Sequence, residues 1–550
     1  MTEWLLSGHN TQESLALARP LTATAVEANL NIAVSWTIER LAGDTADFDP
    51  TLFPSAVVQG WVYINIDYAS RNMARVLPFD AASVGVPSEL VPSPEPVVKR
   101  RLLRLPFRYR ELYKWTKAFY QEQLPAQTED TLRRYWALHD DPDLPLAEVW
   151  PLFEPDFVER LIVDAQAHGV VSITVAVLDA ILRERAPQLL NLFAGQATAT
   201  SLIGQRIWEL SRVAAACGEE VASLLTSGVT DLTAYEALPA AAPLLEGLRR
   251  FLRDYGHRGF RYELDFGAER FVDRPEQVLV AVAGQLQEGR PPEVRAQEMQ
   301  AASREALQRM NPVARALWRR VLDWAQQLIA WREASKSYTS LHHALYGAVA
   351  RRLSREFYPQ ETEPLLMFYT FEEFLAFGRS QGEARVALET LERRRAEFVL
   401  RDGQPTPPEL LRYNPETQHW RPVLSEDVAS EEAAPRQFQG IAACGGAAPV
   451  EGIALVTNDP VEAGRRLLEI EGPVILVTRL TDPAWSSLFG RLSAVVTELG
   501  GLISHATIVA RENGLPAVVG VPEITHWIRN GQRLRVDGTR GVVEILSSTT

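Results

Sequence analysis

His505 is the residue of this chain best placed to do chemistry. It stands in Gly500-Gly501-Leu502-Ile503-Ser504-His505, followed by Ala506-Thr507-Ile508-Val509-Ala510-Arg511. A neutral imidazole is a nucleophile near neutral pH. The apolar run Ala494-Val495-Val496 upstream reads as a buried strand. The two glycines then allow backbone shapes that other residues resist. Ser504 is a good helix N-cap, and Ala506 to Arg511 contains helix formers. His505 therefore falls in a first helical turn. The N–H groups and partial positive charge there suit a phosphoryl group and favour the neutral ring. The plainer reading of the same residues is a surface histidine after a glycine turn.

Other chemical groups are more ambiguous. Arg332 and Lys336 are four residues apart, so they share one helix face. They suit phosphoryl oxygens, or they form a solvated face balanced by Glu333. His257, in Tyr255-Gly256-His257-Arg258-Gly259, is a candidate general base or the holder of a tight turn. His342 and His343 are adjacent, point in different directions on a helix, and do not make a paired metal site. No metal site is expected.

The elements that would position His505 follow from pattern. Candidate strands are Ile453–Val456, Val474–Val477, Ala494–Val496, Ala517–Val519, Arg533–Val536 and Val542–Ile545. Candidate helices between them are Pro460–Ile470, Ser504–Asn513 and Pro522–Arg529. This alternation predicts a compact α/β module over 440–550, where glycine is also concentrated. The acidic, weakly apolar stretch around Asp427–Arg436 reads as a linker, 426–439. Residues 1–425 read as mainly helical. Ile203, Ile207, Leu210, Ala214, Cys217, Val221 and Leu224 form one apolar stripe, which makes Cys217 a core residue. Leu317–Trp331 and Ala384–Val399 are further helix candidates, and Pro87–Pro96 reads as an extended connection.

Composition bounds the function. The 550 residues are 46% apolar, enough for several globular domains. A net charge of −14 argues against a general nucleic-acid surface. Only Cys217 and Cys444 are present, without metal spacing or a disulfide framework, which implies a reducing, cytoplasmic setting. No apolar run reads as a membrane span, and the N-terminus does not read as a signal peptide.

The stretch from Glu498 to Gly520, with Ser504-His505, Ala510-Arg511-Glu512 and Gly514-Leu515-Pro516-Ala517-Val518 in register, resembles the phosphohistidine loop of the PEP-utilising enzymes. That family includes PEP synthase, pyruvate phosphate dikinase and the rifampicin phosphotransferases. Thr481-Asp482-Pro483-Ala484-Trp485 and Val536-Asp537-Gly538-Thr539-Arg540-Gly541 are similar to signatures of the same domain. The earlier region resembles the middle domain of the rifampicin phosphotransferase group at Arg19-Pro20-Leu21-Thr22, Gly60–Asn65, Tyr255–Gly259 with Glu263-Leu264-Asp265, Arg332–Lys336 and Phe368–Glu373.

The resemblance implies a large mainly α-helical acceptor domain followed by a β/α swivelling phosphohistidine domain. His505 would carry a phosphoryl group, with Gly500, Gly501, Ser504 and Arg511 around it. Arg332 and Lys336 would lie where the phosphohistidine meets its acceptor. The complete enzymes also have an ATP-grasp domain, and no counterpart is recognised here. ATP and Mg²⁺ are therefore expected through a separate ATP-grasp protein, with no cofactor bound by this chain alone. The acceptor would be a small organic molecule. A ligase-type enzyme that activates a substrate oxygen by phosphorylation, similar to prodigiosin synthetase, is the alternative within enzymes. A non-catalytic binding or regulatory remnant is the alternative outside them.

Overall fold

The computed structural model describes residues 3–7, 15, 17–76, 99–141, 143–153, 155–192, 198–229, 231–259, 264–286, 292–402, 410–423, 436–445, 448–481, 485, 488–501 and 504–547. The expected connection Pro87–Pro96 lies outside these residues, as do residues 426–435 of the expected linker. In chain order, the elements used below begin with β1 (Trp4–Ser7), α1 (Pro20–Ala42), β2 (Ser55–Val58), β3 (Trp61–Asn65) and α2 (Pro155–Arg185). Next come α3 (Ala199–Ala216), α4 (Glu219–Thr226), α5 (Glu276–Leu286), α6 (Pro292–Arg309) and α7 (Pro312–Phe357). Then follow β4 (Leu410–Asn414), β5 (His419–Pro422), β6 (Gln437–Gln439), β7 (Ile441–Cys444), β8 (Val450–Val456) and α8 (Pro460–Glu469). The last are β9 (Val474–Thr478), β10 (Ala494–Thr497), α9 (His505–Asn513), β11 (Ala517–Val519), β12 (Arg533–Asp537) and β13 (Val542–Ser547).

Two compact units divide the chain, and their segments interleave. The first comprises 1–173, 262–268 and 335–428; the second comprises 174–261, 269–334 and 429–550. The division falls within α2 and within α7.

The first unit contains an antiparallel five-stranded sheet, β2-β3-β1-β4-β5. The expectation of a mainly helical region did not include that sheet. Its strands are short, and β1 and β4 pair across the length of the chain, Leu6 opposite Leu411. A hairpin joins β2 and β3 through Gln59 and Gly60, with φ of 52° and 86°. Two successive positive φ values match the twist of a tight hairpin. Pro20 opens α1 at a position that tolerates proline. Thr22 of α1 donates to Asp265 at 3.0 Å and accepts from the Phe266 N–H at 3.1 Å. Two of the motifs singled out above thus meet, although far apart in sequence. Thr370 and Glu373 form a reciprocal capping box, so Phe368–Glu373 starts a helix.

Helix α2 differs from the expectation that no apolar run reads as a membrane span. Glu159–Asp179 is long and apolar enough to cross a membrane by length and composition, and half of it is buried. Asp164, inside it, is fully buried and accepts from Ser335 at 2.7 Å and Thr339 at 3.0 Å.

The second unit holds helices α3 to α6 and the β/α module. The single stripe expected from Ile203 to Leu224 is two helices, α3 and α4, because Gly218 turns the chain at φ 105°. Ile203, Ile207, Leu210, Ala214 and Val221 still enter one core, and Cys217 packs half-buried against it. The module is an eight-stranded sheet, β6-β13-β12-β8-β9-β10-β11-β7. Its centre, β8-β9-β10-β11, is parallel, and the flanking pairs are antiparallel. Parallel strands need both faces covered, which explains the continuous Val-Ile-Leu-Val of β9. One face packs with Trp485, Leu488, Phe489, Ala506, Val509 and Ala510; the other packs with Ile524 and Ile528. All six expected strands are present, joined by β6 and β7, whose Gln-Phe-Gln and Ile-Ala-Ala-Cys runs give little signal. The helix expected over Pro522–Arg529 is only Ile524–Trp527.

Candidate functional site

His505 is the first residue of α9, at the carboxyl ends of the parallel strands, where α/β sheets place their ligands. Ser504 is the N-cap, in extended conformation at φ −67° and ψ 161°. Its Oγ accepts from the Thr507 N–H at 3.3 Å and donates to Thr507 Oγ1 at 3.1 Å. The Thr507 hydroxyl in turn donates to the Gly501 carbonyl at 2.7 Å. Gly500 has φ 117°, a conformation that favours glycine. Gly514, at φ 67°, closes the other end of α9. Leu502 and Ile503 lie outside the described residues.

The imidazole is buried, with 7% exposure. Its Nδ1 lies 3.1 Å from Thr481 Oγ1. The Phe489 ring stands edge-on, centroids 6.3 Å apart and planes at 86°. Thr481 follows β9 and His505 follows β10. Those strands are neighbours in parallel register, Thr497 opposite Thr478, so the two loops emerge side by side. Of Thr481–Trp485, only the two ends are described, and Trp485 sits in the core beneath α9. Thr481 and Phe489 were not singled out as site residues from the sequence. The signal available for Thr481 is its place in the Thr481–Trp485 signature, just after the candidate strand Val474–Val477.

The other expected site residues are distributed differently. Arg511 is buried, donates from Nε to the Ala443 carbonyl at 3.0 Å and has Asp179 Oδ1 3.6 Å from its Nη1. Burial pushes the nearby Cys444 thiol up to about 12, the Arg511 charge opposing. Arg332 and Lys336 both lie on α7, one on each side of the unit division. Arg332 is buried and paired with Glu333 at 2.8 Å, not on a solvated face; Lys336 is half-buried. His257 is buried in a turn where the Arg258 N–H bonds the Tyr255 carbonyl and the Val272 N–H bonds the Gly256 carbonyl. Burial, then Arg258 and Arg270, hold its pKa well below the ordinary value. Such a ring is a weak proton acceptor. His342 and His343 direct Nδ1 to separate carbonyls, of Tyr338 and Leu264. Among the described residues, no group of three or more His, Cys, Asp or Glu could hold a metal.

The mobile domain of the PEP-utilising enzymes matches residues 470–541, which contain Thr481, β10 and α9. The resemblance to the PEP-utilising enzymes holds. The rifampicin phosphotransferase fourth domain matches residues 165–333, which contain Asp179, His257 and Arg332. A rifampicin phosphotransferase of Streptomyces sviceus is 31% identical over 326 residues, 56% of this chain and 35% of that protein. A prodigiosin synthesizing transferase of Serratia marcescens is 28% identical, over 54% of this chain and 33% of its own length. A phosphoenolpyruvate synthase of Aeropyrum pernix is 40% identical over 151 residues, 26% of this chain and 18% of that protein. The chain thus spans about a third or less of the length of these relatives.

Proposed function

We propose that this chain is a phosphotransferase component in which His505 carries a phosphoryl group to a small organic acceptor. The observation that carries the reading is the Nδ1 contact with Thr481 at 3.1 Å, at the first turn of α9. It orients the ring through Nδ1, and we assign the phosphoryl group to the other ring nitrogen, Nε2. The helix N-terminus adds partial positive charge beside the phosphoryl oxygens. In discharge, an acceptor hydroxyl oxygen attacks phosphorus and the P–N bond breaks. The hydroxyl proton ends on the imidazole, and a phosphate ester leaves. Arg332 and Lys336 would ease this step by balancing charge on the transferring oxygens. The low basicity of His257 favours its role in the turn over that of general base. Loading would come from ATP and Mg²⁺ on a separate ATP-grasp protein, because the matched mobile domain belongs to a family loaded by such a module. Two reduced cysteines fit a cytoplasmic setting.

The test is acid-labile labelling with radiolabelled ATP, Mg²⁺ and the cognate ATP-grasp protein. Label is expected on the wild type and absent from His505→Ala. Equal labelling of both refutes the assignment. Steady ATP turnover by the pure chain, lost in His505→Ala, refutes the separate loading protein. Discharge by a panel of phenols and alcohols should fall about 10²–10³-fold in Arg332→Ala and Lys336→Ala, with loading retained. Unchanged discharge removes that role. The likeness to a prodigiosin synthesizing transferase favours one second reading, in which the phosphorylated oxygen is activated for later loss. Detection of a phosphate ester that is then consumed by a nucleophile would select it.

A further inference from the structure

The short turn Phe489–Arg491 packs against both α5 and α9, so it lies between a helix of the second unit and the helix that bears His505. Phe489 is fully buried, and its ring is the one that stands edge-on to the imidazole. Arg491 ties the far end of the turn, donating to the Ile470 carbonyl at 2.6 Å and to the Gly472 carbonyl at 3.2 Å. Between the two stands Gly490, and Gln285 of α5 lies directly against it. A Cβ on Gly490 would collide with the Gln285 side-chain amide. Gln285 is only 2% exposed, and its own carbonyl accepts from Arg212 Nη2 of α3 at 3.0 Å. The same helix meets the module a second time at Gly464, where a Cβ would stand 2.7 Å from Val280 Cγ1.

We propose that Gln285 is a positioning residue for His505: its amide, packed against Gly490, sets where the Phe489 ring stands and so how the imidazole is turned. The proposal rests on the carrier reading of His505. Its physical basis is close packing. A buried interior has few voids, so a displacement at one contact passes to the next. The imidazole is held on one side by Thr481 and on another by the edge of Phe489. Phe489 adjoins Gly490, and Gly490 has no side chain to keep the amide away. A methyl added there is overpacking, and the turn must shift to admit it. Gln285 lies outside residues 440–550, so a helix beyond the β/α module contributes to the geometry of the carrier histidine.

The probe is phosphoramidate, which phosphorylates imidazoles without an enzyme. The full chain is treated, and phosphorus NMR reads the ratio of Nε2 to Nδ1 product at His505, with His505→Ala subtracting the signals of the other histidines. In Gly490→Ala the ratio should fall about 2- to 13-fold, the size expected for one edge-on ring contact. Gly490→Ala combined with Gln285→Ala, which clears room for the methyl, should return the ratio to that of the wild type. Phe489→Leu keeps an apolar side chain, removes the ring, and should reproduce the Gly490→Ala ratio. Gly464→Ala presses on Val280 of the same helix, away from the turn, and should leave the ratio unchanged. An unchanged ratio in Gly490→Ala overturns the proposal, as does a fall that persists in the double variant. An equal fall in Gly464→Ala also overturns it, because the effect is then a general loosening of the module. The expected ratios in a chain that takes no phosphoryl group at His505 from ATP and the ATP-grasp protein overturn the carrier reading alone.

Discussion

Replacing Thr481 by Val tests the geometry of the site most directly. The change keeps the branched shape and removes the hydroxyl that lies 3.1 Å from His505 Nδ1. Both residues are buried, at 2% and 7% exposure, so water does not readily substitute. One such hydrogen bond is worth about 0.5–1.5 kcal/mol net. At about 1.4 kcal/mol per tenfold, loading of His505 should slow about 2- to 13-fold. The edge-on Phe489 ring still packs against the imidazole, which is why the loss stays moderate. The ring also loses the contact that decides which nitrogen faces outward. Phosphoramidate, a donor that phosphorylates imidazoles without an enzyme, gives the rate. Phosphorus NMR of the product gives the isomer. The wild type should yield the Nε2 isomer, Thr481→Val a slower mixture with Nδ1, and Thr481→Ser near-normal behaviour. Wild-type rate with pure Nε2 product in Thr481→Val would refute the reasoning, as would Nδ1 product from the wild type.

Two further outcomes concern stability. Burial pushes the Asp164 carboxyl up to about 7, with Ser335 and Thr339 opposing. The folded state then holds a proton that the unfolded state has lost. Stability from this group is present below about pH 4 and declines by up to ~1.4 kcal/mol per pH unit as pH rises toward 7. Asp164→Asn should remove that decline in denaturation midpoints measured from pH 4 to 8, and an unchanged pH dependence would disprove it. Burial drives His342 down to about 3, so its contribution has the opposite sign and is lost as pH falls below about 6.5; comparing the two proteins isolates the carboxyl. Gly538→Ala should destabilise the module by about 1–3 kcal/mol, because the new methyl meets the Cys444 carbonyl and the Ala517 N–H across the β7–β11 pair. A denaturant midpoint equal to the wild type would contradict this.

The module was legible in the sequence because its signals are local. A parallel strand buried on both faces is an unbroken apolar run, as in Val474–Val477, and can be read without knowing its neighbours. Ser504 announces its helix, Gly514 ends it, and His505 must fall between them at the first turn. Weaker local signals misled. An apolar period continued through Cys217 because the period does not register the turn that Gly218 makes. The five-stranded sheet was hidden because β1 and β4 lie at opposite ends of the chain, and pairing over such distance leaves no local mark. The site divides in the same way. Sequence alone singled out His505 as the candidate nucleophile, with its cap and its place on the helix. Only the strand order β9 beside β10 decided that Thr481 meets His505 Nδ1. Only packing decided that Arg511 faces Asp179 and that Arg332 is buried against Glu333. A residue type and its neighbours specify backbone state and reactivity, whereas partners across a fold are set by which surfaces the chain buries together.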